Sequence, residues 1–165
     1  STLPEQGFIT TFTESPWKGT PHTYTMGLSA AQMDAIKAIA AAVRKDTSGN
    51  SQAFFKFLFV ECPNLQDKFP NYKGNADFAK HPSFASHVEK VVEDVLKYVS
   101  LCGDDAAFGA KATQVKADHV SRNVNAAEYG QLFTALGKFF DKNLGGTYNA
   151  AAWKAAGDMA VAGLK

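Results

Sequence analysis

Residues 115–132 read VKADHVSRNVNAAEYGQL and contain the end of one helix and the start of the next. Val115 lies one helical turn before His119, so the two side chains share one face of the first helix. Asn125 and Glu128 have the spacing of a capping box, in which each side chain bonds the other residue's backbone N–H. The stretch therefore predicts a short helix that ends at His119 and a second helix that begins just after Asn125.

Helical signals of the same kind occur along most of the remaining chain. Ser29 and Gln32 have the spacing of a second capping box, and Pro82 is suited to the first turn of a long helix. Asp46 to Asn50 interrupts the apolar pattern and predicts a break between two helices. The predicted helices are 28–45, 51–61, 63–69, 82–101, 104–119, 125–144 and one from about 148. Because no segment alternates apolar and polar residues in the manner of a half-buried strand, the fold class is all-α.

The composition indicates one domain with a well-buried core. The chain has 165 residues, of which 45% are hydrophobic and 12% aromatic, enough for one core but short for two. Residues 1–27 carry three prolines among Thr, Ser and Gly and are predicted to form an irregular N-terminal extension. Residues 28–165 are predicted to form the domain.

Charge and hydropathy favour a small partner. The 17 basic and 16 acidic residues nearly cancel, so nothing attracts nucleic acid or an anionic membrane. No apolar stretch approaches the roughly 20 residues that span a bilayer, and residues 1–27 lack the apolar block of a signal peptide. We therefore expect an intracellular, cytoplasmic protein. Cys62 and Cys102 fit no metal-binding spacing and are expected to be buried, reduced thiols.

Two further stretches complete a pattern with a known counterpart. Residues 54–72 read FFKFLFVECPNLQDKFPNY, with Phe69 six residues after Pro63 and Tyr72 three residues later. Residues 85–92 read ASHVEKVV, in which His87 precedes Val91 by one turn. Together with residues 115–132, and in this order, these segments resemble the globin family. The closing NLGGTYNAAAWKAA, residues 143–156, most resembles molluscan intracellular globins.

The resemblance implies a globin fold, with helices A to H around a haem pocket and helix D short or absent. His119 would be the proximal iron ligand, with its other N–H donating to a backbone carbonyl near Val115. His87 would stand on the distal side, where its N–H can donate to a bound gas. Phe69 would stack against the porphyrin, and Lys90 would reach a haem propionate. The remaining implied pocket residues are Phe55, Tyr72, Val91, Val95, Val115 and Val124.

The implied cofactor is haem b, because the chain has no Cys-x-x-Cys-His segment for covalent attachment. The implied activity is reversible binding of O2 by ferrous haem for storage or transport, with CO and NO as further gas ligands. The protein would then not be an enzyme, and a monomer or homodimer is expected. The alternatives are a haem redox enzyme, acting as an NO dioxygenase or nitrite reductase, and a haem-free globin that acts as a sensor or scaffold.

Individual residues of this pattern have simpler explanations. A lone histidine on an apolar helix face is usually a core residue, and only the joint pattern favours ligand roles for His87 and His119. Lys90 is equally compatible with ordinary solvent exposure. Phe55, His87, Lys90 and Val91 also match a nerve globin, neuroglobin, in which the distal histidine coordinates iron. The sequence therefore leaves five- and six-coordinate deoxy states open.

Overall fold

The computed structural model describes residues 27–165, so the predicted irregular extension lies outside the described residues apart from Gly27. Within this range the protein is helical and contains no strand, which confirms the all-α fold class. The helices are α1 Ala30–Arg44, α2 Thr47–Glu61, α3 Pro63–Gln66, α4 Phe84–Val99, α5 Asp105–His119, α6 Ala126–Asn143 and α7 Ala150–Gly163. Only one 3-10 turn, Phe78–Lys80, lies between α3 and α4, where the resemblance implied a short or absent helix D.

Both predicted capping boxes are present. The Ser29 hydroxyl accepts the backbone N–H of Gln32 at 3.1 Å, and the Gln32 side chain accepts that of Ser29 at 2.9 Å. Asn125 and Glu128 make the equivalent pair of bonds, each at 2.9 Å, at the start of α6. These bonds satisfy N–H groups that have no partner inside the helix, so both helices begin where their local sequence predicts.

Several predicted boundaries are wrong by a few residues. Helix α2 begins at Thr47 instead of Ser51, because the Asp46 carboxylate caps it by accepting the N–H of Gly49 at 2.9 Å. Pro82 precedes α4 instead of lying in its first turn. The N–H of Phe84 bonds the carbonyl of His81 at 2.9 Å, which closes a β-turn with Pro82 at its second position, where proline is favoured.

Other helices are shorter than predicted. Helix α3 ends at Gln66 instead of Phe69, α4 ends at Val99 instead of Leu101, and α7 begins at Ala150 instead of Tyr148. Before α7 the backbone of Tyr148 and Asn149 is extended, whereas at the ends of α3 and α4 a tight turn replaces the last predicted turn of helix. Helix ends commonly tighten in this way.

The core joins all the long helices. Helix α2 packs most extensively against α4, while α7 packs against α6 and α1. Helix α2 is not covered on every side, since Val60 is 79% exposed. The side of α2 that bears Val60 therefore faces solvent, and the aromatic residues Phe54, Phe55 and Phe59 carry its packing.

Both cysteines are free thiols, as predicted, although only Cys102 is fully buried and Cys62 is half-buried. Burial raises the pKa of Cys102 to about 11, so its thiol stays protonated at neutral pH. No helix within residues 27–165 is long and apolar enough to cross a membrane.

Candidate functional site

A cavity of about 420 Å³ opens between α4, α5 and α6. Two histidines from different helices, His87 on α4 and His119 at the end of α5, both line it. Six of the predicted site residues meet here: His87, Lys90, Val91, Val95, Val115 and His119. The valines make part of the wall apolar on both the α4 and the α5 side, and the two imidazoles are among the polar groups that line the cavity.

His119 is held by a short hydrogen bond to its own helix. Its Nδ1 lies 2.7 Å from the carbonyl oxygen of Val115, and because a carbonyl only accepts, Nδ1 carries the hydrogen. This is the bond that was predicted for His119. The Tyr129 ring packs edge-to-face against the imidazole at 5.7 Å. In the neutral ring Nε2 is then a bare lone pair, free to coordinate a metal.

His87 is held by two aromatic residues of the loop between α3 and α4. Its Nδ1 lies 2.8 Å from the Tyr72 hydroxyl, and the Phe69 ring packs against it at 6.0 Å. Since Tyr72 lies behind the cavity wall, Nε2 is the nitrogen that faces the cavity. Burial lowers the pKa of His87, and the nearby cations Arg122 and Lys90 lower it further. The imidazole is therefore neutral at pH 7.

A second cavity of about 70 Å³ adjoins the first and shares His119 with it. Phe69 and Val124, both predicted site residues, line this smaller space. Leu58 and Leu65 complete its apolar wall. The two spaces together extend the apolar pocket from the α5 histidine toward the loop that follows α3.

Two predicted pocket residues, Phe55 and Tyr72, line neither cavity. Phe55 is fully buried and packs edge-to-face on Phe69, with ring centroids 5.4 Å apart. Tyr72 is also fully buried and stacks on Phe69 at 6.0 Å. Burial raises the pKa of Tyr72, and the nearby Ser83 hydroxyl offsets part of that rise. Both residues therefore support Phe69 and His87 from behind. The resemblance implied that they belong to the pocket but not how deep they lie.

The rim of the larger cavity carries charge. Its cations are Lys90, Lys111 and Arg122, and its carboxylates are Asp94 and Asp118. Lys111 and Asp94 form an ion pair at 3.7 Å. Within residues 27–165 no carboxylate lies within ion-pair distance of Lys90 or Arg122. Two cations at the mouth are therefore available to an anionic group.

Sequence reasoning missed several residues that line the cavities, including three from α6 and one from the turn after α5. Tyr129, Leu132 and Phe133 come from α6, where their spacing of three and four places them on one helix face. That apolar stripe was visible in the sequence, but its direction toward His119 was not. Arg122 lies three residues beyond His119, in the 3-10 turn Val120–Arg122, and was read only as part of a helix end.

A larger cleft lies elsewhere, between α6 and α7, with a volume of about 700 Å³. Its lining includes the glycines Gly137 and Gly157 and several lysine and aspartate side chains. Its lining residues include no histidine and no cysteine. The chemistry available in the described part of the chain is therefore concentrated in the smaller cavity that holds His87 and His119.

The fold and the paired histidines define the class of protein. The globin family profile matches residues 52–164, and the chain belongs to the globin family. It is 31% identical over 124 residues to globin CTT-VIIB-6 of Chironomus thummi thummi, covering 72% of this chain and 77% of that one. It is 32% identical over 126 residues to globin CTT-VIIB-4 of Chironomus thummi piger, covering 72% and 78%.

Solved structures agree on the fold. The ferric myoglobin of Aplysia limacina superposes with a TM-score of 0.75 at 21% identity, covering 83% of this chain and 96% of that one. A second structure of the same myoglobin, with azide bound, gives the same TM-score, identity and coverage.

The residues present fit the haem that membership of the globin family implies. No cluster of three or more His, Cys, Asp or Glu side chains that could hold a bare metal ion occurs among residues 27–165. Instead, His119 offers one bare nitrogen to an apolar cavity, which suits a metal held mainly by a flat apolar ring. The unpaired cations Lys90 and Arg122 at the rim suit the two carboxylates of such a ring.

Proposed function

We propose that this protein binds O2 reversibly through ferrous haem b and serves in oxygen storage or transport. The observation that supports this most directly is the arrangement of His119 and His87. Each imidazole uses Nδ1 in a hydrogen bond away from the cavity, to Val115 and Tyr72, and so turns Nε2 inward. When bound, the haem supplies an iron centre that takes up a diatomic gas; the protein supplies the surroundings.

His119 is the proximal ligand in this proposal. Its bond to the Val115 carbonyl fixes the tautomer and ring orientation and makes Nε2 a stronger donor to iron. Edge-to-face contact with Tyr129, a buried residue of α6, limits rotation of the same ring. The ligand is thus oriented by two different helices.

His87 is the distal residue. An N–H at its inward nitrogen can donate to an oxygen ligand, which carries partial negative charge, and this favours O2 over CO. Val91, Val95 and Phe69 exclude water from the same side, which slows loss of superoxide and oxidation of the iron. The neutral charge of His87 at pH 7 suits a hydrogen-bond donor that does not act as an acid.

Lys90 and Arg122 would hold the haem propionates. Both side chains are exposed at the cavity rim, and both are close enough to His87 to lower its pKa. Lys90 lies on α4, one turn after His87, whereas Arg122 follows α5, so the two cations approach from different walls. Each is free to pair with one carboxylate.

The setting we propose is the cytoplasm, with the protein as a monomer or homodimer and with CO and NO as further ligands. The resemblance of residues 143–156 to molluscan intracellular globins supports this setting. Val91, Val95 and Val115 make part of the cavity wall apolar, which suits the uptake of a small neutral gas. A binding protein is therefore favoured over an enzyme.

Absorption spectra of the purified protein test the proposal. The ferrous protein should change spectrum on adding O2 and recover it on removing O2, and acidified organic solvent should extract the pigment because no covalent link holds it. His119→Ala should lose haem or reversible O2 binding, and added imidazole should restore part of it. Gln114→Ala, an exposed change on the same helix, is the matched control.

Three results would contradict the proposal. A colourless protein that does not take up added haem would indicate a haem-free globin. An unchanged spectrum and O2 affinity in His119→Ala would mean that another residue holds the iron. Sustained consumption of NO or nitrite with a reductant, measured by stopped flow, would assign a redox enzyme instead.

A further inference from the structure

Tyr72 is fully buried in the loop between α3 and α4, yet its hydroxyl group reaches a site residue. Its oxygen lies 2.8 Å from Nδ1 of His87. The ring is fixed by stacking on Phe69 at 6.0 Å and by edge-to-face contact with Phe84 at 5.6 Å. A rigid phenol therefore stands behind His87, on the side away from the cavity.

The direction of this hydrogen bond follows from what else surrounds the phenol. The nearby Ser83 hydroxyl has its own bond, at 2.9 Å, to Nδ1 of His81. Ser83 is the donor in that bond, and Nδ1 of His87 is the group in hydrogen-bond geometry with the Tyr72 hydroxyl among the described residues. If His87 donated instead, the phenol hydrogen would have to turn toward the Ser83 oxygen, which lies nearby but outside hydrogen-bond geometry, and an unpaired buried donor is unfavourable. Tyr72 therefore donates and His87 accepts.

This direction decides which nitrogen of His87 carries hydrogen. A neutral imidazole has one N–H, so an accepting Nδ1 places the hydrogen on Nε2, the nitrogen that faces the cavity. His119 has the opposite arrangement, because its Nδ1 donates to the Val115 carbonyl. One histidine thus presents a bare nitrogen to the cavity and the other presents an N–H.

We propose that Tyr72 is a positioning residue that keeps His87 in its Nε2–H form, and so keeps it a donor to bound gas instead of an iron ligand. The inference rests on the proposed haem function. Coordination by Nε2 would require the hydrogen of His87 to move to Nδ1, and the phenol of Tyr72 would then lose its acceptor. Tyr72 therefore opposes the six-coordinate state that the sequence left open.

The ferrous spectrum without added gas tests this. The wild-type protein should show the single broad visible band of high-spin, five-coordinate iron. Tyr72→Phe should gain the two sharp bands of low-spin, six-coordinate iron, and these should vanish in the double variant Tyr72→Phe with His87→Leu. Tyr148→Phe, which removes a phenol near the α6–α7 cleft, should match the wild type.

A second readout reports the tautomer itself. Nitrogen-15 shifts of the His87 ring in the diamagnetic CO-bound protein should show a bare Nδ1 and a protonated Nε2 in the wild type, and a mixture in Tyr72→Phe. The O2 dissociation rate should rise by up to about tenfold in that variant, as a net hydrogen bond of this kind predicts.

Three outcomes would overturn the inference: low-spin ferrous iron in the wild type, a protonated Nδ1 in the wild type, or Tyr72→Phe spectra identical to those of the wild type. If Tyr72→Phe does not fold, the wild-type nitrogen shifts still decide. If the wild type takes up no haem, the proposed function fails by itself, and the His87 tautomer is then read in the haem-free protein.

Discussion

His87 and His119 are the same residue type in the same cavity, and their different partners give them different chemistry. A backbone carbonyl can only accept, so Val115 forces a hydrogen onto Nδ1 of His119. A phenol can donate or accept, and in the direction proposed above Tyr72 donates, which leaves Nδ1 of His87 bare. The role of each imidazole is therefore set by the group that bonds its outer nitrogen.

Arg122 and Lys90, two cations at the cavity rim, give a prediction about how firmly haem is held. Arg122→Gln and Lys90→Gln should each speed the transfer of haem to an acceptor protein by up to roughly fivefold, the range expected for an exposed ion pair. The effect should shrink at high salt because exposed charges are screened. Lys142→Gln, an exposed change near the end of α6, is the control. Equal transfer rates in all three variants would show that the rim cations do not hold the propionates.

Helix α2 illustrates how one element can carry an unsatisfied group. Ser51 lies on its buried face and is fully buried, and its hydroxyl has no hydrogen-bond partner within the described residues. A serine is small enough to allow close packing against a neighbouring helix, but a hydroxyl without a partner costs stability. The position is therefore suited to a small side chain and gains nothing from the oxygen.

Ser51→Ala should raise the free energy of unfolding by up to about 1 kcal/mol, because it removes the unpaired hydroxyl and improves helix propensity. Ser51→Val should lower it by about 1–3 kcal/mol through overpacking. Urea denaturation measures both. Ser48→Ala, which removes the acceptor of the Gln52 side chain, is the control and should show no gain. A destabilised Ser51→Ala protein would reveal a hydrogen bond at this hydroxyl.

The ion pair between α1 and α4 gives a pH-dependent prediction. Arg44 and Glu93 form a two-pronged contact, with a closest distance of 2.6 Å. The hydrogen bond from Arg44 lowers the pKa of Glu93 below its usual 4.5, while burial opposes this. A lowered folded pKa means that the stabilisation is present above pH 4.5 and is lost as the pH falls through the folded value.

Arg44→Met should therefore lower the free energy of unfolding at pH 7 by less than about 1 kcal/mol, since the pair is partly exposed. The difference from wild type should disappear in acid, once Glu93 is protonated in both proteins. Urea denaturation at pH 7 and pH 3 measures this. A pH-independent difference would indicate lost packing of the Arg44 side chain.

Across the whole molecule, the cavity lies between a well-packed helix, α6, and a weakly packed helix, α5. Helix α6 buries seven residues, whereas α5, with 15 residues, buries only Phe108 and Ala112. Helix α5 also carries His119, so the proposed haem would supply much of its tertiary contact. Ligands that bind only the folded state stabilise it, and the long helix with the fewest buried residues, α5, depends most on that stabilisation.

Removing haem should therefore lower the melting temperature and expose α5 first. Hydrogen exchange of the haem-free protein should be fast at the amides of Asp105–His119 and slow in α6. Re-adding haem should restore protection to α5. Equal protection of both helices without haem would show that α5 is held by the polypeptide alone.

The local signals in the sequence correctly predicted the features that depend on a few neighbouring residues. The two capping boxes, at Ser29 and Asn125, lie where the spacing predicts, because each bond joins residues three apart. The hydrogen bond from His119 to Val115, which the resemblance implied, is also local, since it lies within one turn. The predicted helix ends were less accurate. Pro82 suits both the first turn of a helix and the second position of a β-turn, and the hydrogen bond from Phe84 to His81 shows that it lies in a β-turn.

By itself the sequence determined the all-α class, which depends on periodicity. It also determined the family and the two candidate ligand histidines, His87 and His119, which depend on the order of residues along the chain. Only the tertiary structure decided that Phe55 and Tyr72 lie behind the cavity, and that Arg122 and Tyr129 contribute to it. Periodicity specifies the direction of a side chain from its helix, but depth and partners depend on how separate helices cross. The hydrogen bond between Tyr72 and His87, which joins a loop to α4, is set by that packing.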